Sequence, residues 1–300
     1  MRFEQTSAHL VLYFAAARVA LALPMLSGLR KSRSNVHWLS QWHTRSILSR
    51  WAKAQTSCLL VCVVGSLVGA ALGQEFAIEN QVTRSSQDGP KTQSVTRTII
   101  TPEAFYDVWY DGKEPSEVSV YLISRKQFKL VSFRKTQNTT IDEADVLEFV
   151  ANVNQTAKSH RDPHVQFAAK PQFVNKSNSA AVHLEHKLWE YTAQLEKPLD
   201  QPCLDSYRQF ADTFARLNVF WSYPPGARLE LNKAIYDRGR LPSRVEVQLN
   251  DSNGQPKVSQ TTTHRYSWKL QQADRKIVDM TKQAIVEFKP VSFDEFLADR

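Results

Sequence analysis

Between Phe76 and Phe133 the apolar residues come in short runs separated by turn residues, and the runs repeat every two positions rather than every three or four. Phe76 to Arg84 and Ser94 to Thr101 are rich in β-branched residues. Ala104 to Tyr110, Glu117 to Ile123 and Gln127 to Phe133 are rich in aromatic and branched ones. The breaks at Asp111-Gly112 and Ser124-Arg125-Lys126 are too short for a crossover, so the pattern predicts antiparallel hairpins in a meander. Both alternating faces carry bulk. Phe105 and Trp109 fall on one side of their strand, and Tyr106, Val108 and Tyr110 on the other. A sheet with one wet face would be more polar on alternate positions, so something apolar or amphipathic must cover each face at least in part.

Helical spacing follows. Thr140-Ile-Asp-Glu143 reads as a capping box opening a helix to about Ala157, with Val146, Phe149, Val150 and Val153 on its apolar stripe. His160 to Pro163 ends it, and strands are predicted for Val165 to Val174, Ala180 to Leu188 and Trp189 to Leu195. From Pro202 to Trp221 the residues Leu204, Tyr207, Ala211, Phe214 and Leu217 form one helical stripe, broken by Tyr223-Pro-Pro-Gly226. A shorter helix fits Ala227 to Tyr236. Arg244 to Leu249 and Val258 to Trp268 form a hairpin about Asn250 to Gly254, Gln271 to Phe288 begins as a polar helix, and the tail from Lys289 to Arg300 is expected to be loosely held. The economical fold class is α+β: a single antiparallel curved sheet, half-barrel-like, with helices packed on one face, in one domain over residues 74–300.

The chain before Gln74 is of another kind. An apolar run from Cys58 to Leu72 follows Arg45, Arg50 and Lys53 and ends in Ala71-Leu72-Gly73, the charged, apolar, cleavable order of a secretory signal. It is shorter than the roughly 20 residues a spanning helix needs, and cleavage after Gly73 is expected. An uncleaved anchor is the alternative, in which residues 1–73 keep contact with the membrane. Leu59 to Cys62 resembles a lipobox, but Val61 stands where a small residue is wanted. A further apolar stretch, Ala8 to Leu29, is interrupted by Arg18 and Pro24. The basic residues between the two stretches hold that loop in the cytoplasm and send Gln74 onward across the membrane. Residues 1–73 are thus a hydrophobic targeting region, and the folded part is expected to be periplasmic or secreted.

Charge and cysteine support that division. The whole-chain net charge is +8, but residues 1–73 hold 8 Lys/Arg against one acid and residues 74–300 hold 30 against 29. The basic excess belongs to the leader, which argues against nucleic acid as a partner. Beyond the leader Cys203 stands alone, so no internal disulfide and no zinc-type pair is available.

Candidate chemistry is sparse. The chain has no GxSxG, P-loop, GxGxxG or HExxH signature, and neither a catalytic role, a cofactor nor a metal is expected. His183 and His186 would pair on a helix, but their surroundings read as a strand, which points them to opposite faces. His160, Asp162 and His164 sit in a Pro-broken loop where such residues commonly cap. Asp142, Glu143, Asp145 and Glu148 cluster at a helix start, where the helix dipole favours acids. Cys203, beside a helix start, reads as a small buried apolar residue more than as a reactive thiol. Asn138, Asn154, Asn175 and Asn250 lie in glycosylation triplets.

The order of elements, with aromatic-rich hairpins at 104–133, a capped helix, more hairpins and a late hairpin at 244–268, resembles the periplasmic lipoprotein-sorting half-barrels of the LolA/LolB type over about residues 76–270. Stretches such as Ile285 to Phe293 also resemble uncharacterised secreted proteins of planctomycete-type bacteria. The first resemblance implies a curved sheet, a helical lid and an apolar cavity between them. Bulk on both strand faces points the same way, to an extracytoplasmic binding or carrier domain for a lipid or other apolar ligand. Phe105, Trp109, Tyr121, Phe128 and Leu130 are the expected pocket. The alternative is a non-catalytic structural or interaction module of the cell envelope, with an envelope protein as partner and the same aromatic residues as plain core.

Overall fold

The structure is a computed structural model and describes residues 75–86 and 89–298. The expected leader and its cleavage point, residues 1–73, lie outside the described residues.

The first half of the chain is a meander. Strands β1 (Phe76–Ser86), β2 (Gly89–Ile100), β3 (Ala104–Asp111), β4 (Glu114–Leu122), β5 (Gln127–Ser132) and β6 (Gln137–Asp142) each pair antiparallel with the next. Gly112 turns β3 into β4 at φ +65°, a left-handed conformation that glycine adopts without steric cost. Two helices follow, α1 (Glu143–Ala157) and α2 (Pro163–Ala169), then the strands β7 (Val174–Asn175), β8 (Ala181–His186) and β9 (Trp189–Glu196). Helices α3 (Gln201–Leu217) and α4 (Gly226–Tyr236) precede a second long hairpin, β10 (Leu241–Asn250) and β11 (Pro256–Ser267). Helix α5 (Gln272–Glu287), the short β12 (Lys289–Pro290) and α6 (Phe293–Ala298) close the chain.

The twelve strands of the described residues belong to one open sheet in the order β12-β6-β5-β4-β3-β2-β1-β11-β10-β9-β8-β7. Two meanders are therefore joined edge to edge where β11 pairs with β1, from Ala77 opposite Ser267 to Ser86 opposite Val258. Every pairing is antiparallel except that of β12 with β6. The fold class is the α+β one expected.

Three predicted details change. Thr140 does not cap a helix: it pairs with Lys129 inside β6, where its Oγ1 accepts from Lys129 Nζ at 2.6 Å. The helix begins at Glu143 behind Asp142, whose carboxylate accepts from Gln127 across the strand pair instead of capping. Local capping chemistry lost to ladder formation. Second, Val165 belongs to a helix and not to a strand. Asp162 accepts from the His164 N–H and Pro163 occupies the first turn, a helix start that outweighs the β-branched residue behind it. Third, the tail is docked. The Lys289 N–H donates to Thr136 and the Val291 N–H to Asn138, and Phe296 is buried against the core.

Helices cover both faces and not the one face expected, because strands bulky on both sides need an apolar cover on each. On the inner face, α4 seals β8 to β10 through Ala227, Leu231 and Ile235 against Leu184, Trp189 and Val247. Its first residue, Gly226, has no room for a side chain, since a Cβ would fall 2.5 Å from the Ala168 carbonyl oxygen. The helix α3 lies over β1 to β5, with Leu204, Tyr207 and Phe214 against Phe76, Phe105 and Phe128. On the outer face α5 sets Val278 and Ile277 against Ile99, Tyr106, Val108 and Val120. Both faces of β3 carry bulk because both are covered.

Candidate functional site

Strand alternation assigns the inner-face positions. In β3 these are Phe105, Asp107 and Trp109; in β2, Thr96, Thr98 and Ile100; in β1, Phe76, Ile78, Asn80 and Val82; in β11, Gln260, Thr262, His264 and Tyr266. The two ends of this face are apolar. Its middle, where β11, β1, β2 and β3 adjoin, carries Asn80, Thr96, Thr98, Asp107, Gln260, Thr262 and His264. Above that polar middle α3 does not close onto the sheet.

A cavity of about 150 Å³ remains there. Its roof is Tyr207, Phe210, Ala211, Phe214 and Ala215 of α3, with Trp221 just beyond the helix. Its floor is the polar patch, and Arg228 of α4 reaches it from one side. Side chains from the seven adjacent strands β9 to β4 contribute, from Tyr191 to Ser119. A flat sheet would spread seven strands over roughly 29 Å at about 4.8 Å per spacing. One small cavity touches all of them only because the sheet curls around α3.

Buried polar groups must find partners or pay a desolvation cost of about 1–3 kcal/mol each. Most of the floor does find them. Asn80 Nδ2 donates to the hydroxyls of Thr96 (3.2 Å) and Thr98 (3.1 Å). The Thr98 hydroxyl donates to Asp107 Oδ1 at 3.4 Å, and Trp109 Nε1 donates to Asp107 Oδ2 at 3.3 Å. His264 Nδ1 lies 2.7 Å from Asn80 Oδ1. Enclosure, and secondly the positive charge of Arg228, push the His264 pKa down to about 3. Among the buried polar atoms of the lining, His264 Nε2 on the floor and the Tyr191 hydroxyl at the β9 side of the wall have no hydrogen-bond partner.

No family model matches the chain, and no curated protein is similar to it. Among solved structures a LolA superfamily protein from Nitrosomonas europaea is similar, with a TM-score of 0.29 and 6% identity, covering 67% of this chain and 89% of that one.

Of the five residues expected to line a pocket, Trp109 stands on the cavity wall. Phe105, Tyr121, Phe128 and Leu130 share its face of the sheet but pack against one another and α3. Phe105 stacks on Tyr121 at 6.0 Å and meets Phe210 edge-on at 6.1 Å, and Phe128 meets Phe214 edge-on at 6.0 Å. The greater part of the cavity, its polar floor, was not anticipated. Asn, Thr and Gln on alternate positions read equally well as a solvent-facing edge. One signal was present: Asp107 stands between Phe105 and Trp109 on an otherwise aromatic face.

The other candidates are placed as follows. His183 and His186 lie on opposite faces of β8, one beside Thr192 Oγ1 and the other stacked on Phe167 at 4.1 Å. Asp162 caps α2 and holds His164, whose second ring nitrogen faces the Asn250 carbonyl at 2.8 Å. Cys203 is fully buried, its thiol pushed up to about 12 first by burial and then by Asp200. Among the described residues no three His, Cys, Asp or Glu side chains converge on a metal position, and no helix is long and apolar enough to cross a membrane. Two glycosylation triplets are inside the fold: Asn138 donates to Ile285 and Phe288 carbonyls, and Asn250 to that of Lys187.

Proposed function

We propose that the chain is an exported, non-catalytic binding or carrier protein whose ligand is a small amphiphile held between α3 and the curled sheet. One observation carries this reading: the inner face turns polar only where α3 stands off, leaving an aromatic roof over a hydrogen-bonding floor. A face meant only as core would be apolar there, since burying Thr96, Thr98 and Gln260 costs stability that aliphatic residues would not. An apolar cavity lined with a few placed polar groups is the usual form of a small-molecule site. The ligand's apolar part would lie along Phe210, Phe214 and Trp221, and its polar end on the floor. The basic-then-apolar leader supports a place outside the cytoplasm.

The full chain, purified from cells without detergent, is expected to displace bound N-phenylnaphthylamine when given an amphiphile, and to release a discrete small molecule on organic extraction and mass spectrometry. If it binds no dye and yields no ligand, the cavity is only a packing gap. Cell fractionation that recovers the polypeptide in the cytosol with residues 1–73 intact would remove the export part alone.

A further inference from the structure

The hydrogen bonds of the cavity floor run in one direction. The Asp107 carboxylate can only accept, so the Thr98 hydroxyl donates to it. The Thr98 oxygen is then free to accept, and it takes the bond from Asn80 Nδ2, which also reaches Thr96. With its nitrogen directed at the two threonines, the Asn80 amide presents its carbonyl oxygen to His264 Nδ1. A carbonyl accepts only. The imidazole proton therefore sits on Nδ1, and in a neutral ring Nε2 is left as a lone pair.

Two facts make that lone pair informative. Enclosure keeps the ring neutral at physiological pH, and no protein group reaches Nε2, although the ring is part of the cavity wall. An acceptor buried without a donor is costly, and the cost is relieved by a ligand that supplies one. A metal ion is a poor occupant, because among the described residues no further His, Cys, Asp or Glu groups converge with His264 to complete a shell. A carboxylate meets the lone pair with lone pairs of its own.

We infer that His264 is a specificity-determining residue: through Nε2 it accepts a hydrogen bond from the ligand, so the cavity selects amphiphiles bearing a hydroxyl or N–H donor over isomers that can only accept. This rests on the binding reading above and names the class of ligand within it. The role of Asp107, Thr98 and Asn80 is positioning. They fix which ring nitrogen holds the proton and touch selectivity only through His264.

The test uses n-octanol and methyl heptyl ether, isomers that differ in having or lacking the donor, titrated against the full chain with the fluorescence of Trp109 and Trp221 as readout. The alcohol is expected to bind about tenfold more tightly, the range of one hydrogen bond to a buried acceptor. In His264→Phe the two should bind alike, at the affinity the ether has for the natural chain. Equal binding by the natural chain overturns the inference and leaves the binding reading intact. Binding of neither isomer, nor of dye, fails the binding reading itself. An independent check needs no variant and no ligand: nitrogen-15 NMR of the assigned His264 ring should show Nδ1 protonated and Nε2 bare, and the opposite tautomer would overturn the proposal.

Discussion

The same three strands, β2, β3 and β4, show two different interiors on their two faces. Toward α5 they present Ile99, Tyr106, Val108, Val118 and Val120, closed by Val278 and sealed at the rim by the Arg97–Asp274 ion pair. Toward α3 they present Thr96, Thr98, Asp107, Trp109 and Ser119, and a cavity. Neighbouring residues one step apart in sequence, Thr98 and Ile99 or Asp107 and Val108, are thus committed to opposite tasks. Alternation by two lets a single stretch of chain hold the fold with one set of side chains and keep a binding space with the other.

The sharpest way to break that division is at the sealed rim. Asp274 is almost fully enclosed. It accepts from Arg97 Nε at 2.8 Å and Nη2 at 3.0 Å, and its carboxylate also takes the Gln271 N–H that starts α5. Removing it leaves a half-buried guanidinium without its partner. Asp274→Ala is expected to cost about 3–5 kcal/mol in denaturant unfolding, with ligand binding unaffected under conditions where the chain is folded. A loss below about 1 kcal/mol would show α5 to be an accessory and not a seal.

The next pair sets one face against the other. Ile99→Ala opens a void under α5 and should cost about 2–5 kcal/mol without moving amphiphile affinity. Ala215→Leu on the α3 roof should do the reverse: it fills existing space, costs no more than about 1–3 kcal/mol of strain, and abolishes dye binding. If Ala215→Leu left dye binding intact, the cavity between α3 and the sheet would not be the ligand site.

Why the sequence disclosed one of these faces and not the other is a matter of contrast. Tyr106, Val108, Val118 and Val120 announce themselves, because consecutive large apolar residues on alternate positions have no other use. The α3 stripe was equally legible from Leu204, Tyr207, Ala211, Phe214 and Leu217. Asn80, Thr96, Thr98 and Gln260 were not, since a threonine-rich strand looks the same whether it meets water or lines a cavity. Only the pairing of β1 with β11, which joins residues 184 apart as Asn80 and His264, decides the matter. No local pattern encodes so distant a register. Thr140 and Val165 misled for the complementary reason. A capping motif and a β-branched residue are weak local preferences, and strand pairing with β5 in one case and the Asp162-Pro163 helix start in the other outweighed them.

The smallest expected effect separates two histidines that the sequence could not tell apart. His164 has acceptors at both ring nitrogens, the Asp162 carboxylate at 3.1 Å and the Asn250 carbonyl at 2.8 Å, and these raise its pKa above the ordinary value. Its contribution to stability is complete below about pH 6.5 and is lost as pH rises through the raised value. His264 has one acceptor and an enclosed lone pair, and its pKa falls to about 3. The unfolded ring takes a proton near pH 6.5 while the folded ring refuses it. Stability is therefore lost as pH falls, by at most about 1.4 kcal/mol per pH unit. Between about pH 5.5 and 6.5, above the range where ordinary carboxylates titrate, His264→Phe should flatten the acid limb of the denaturation midpoint and leave the alkaline limb unchanged. His164→Gln should do the opposite. Parallel curves for the natural chain and His264→Phe across that window would mean that the ring is reached by solvent, and that the floor of the cavity is wetter than its aromatic roof suggests.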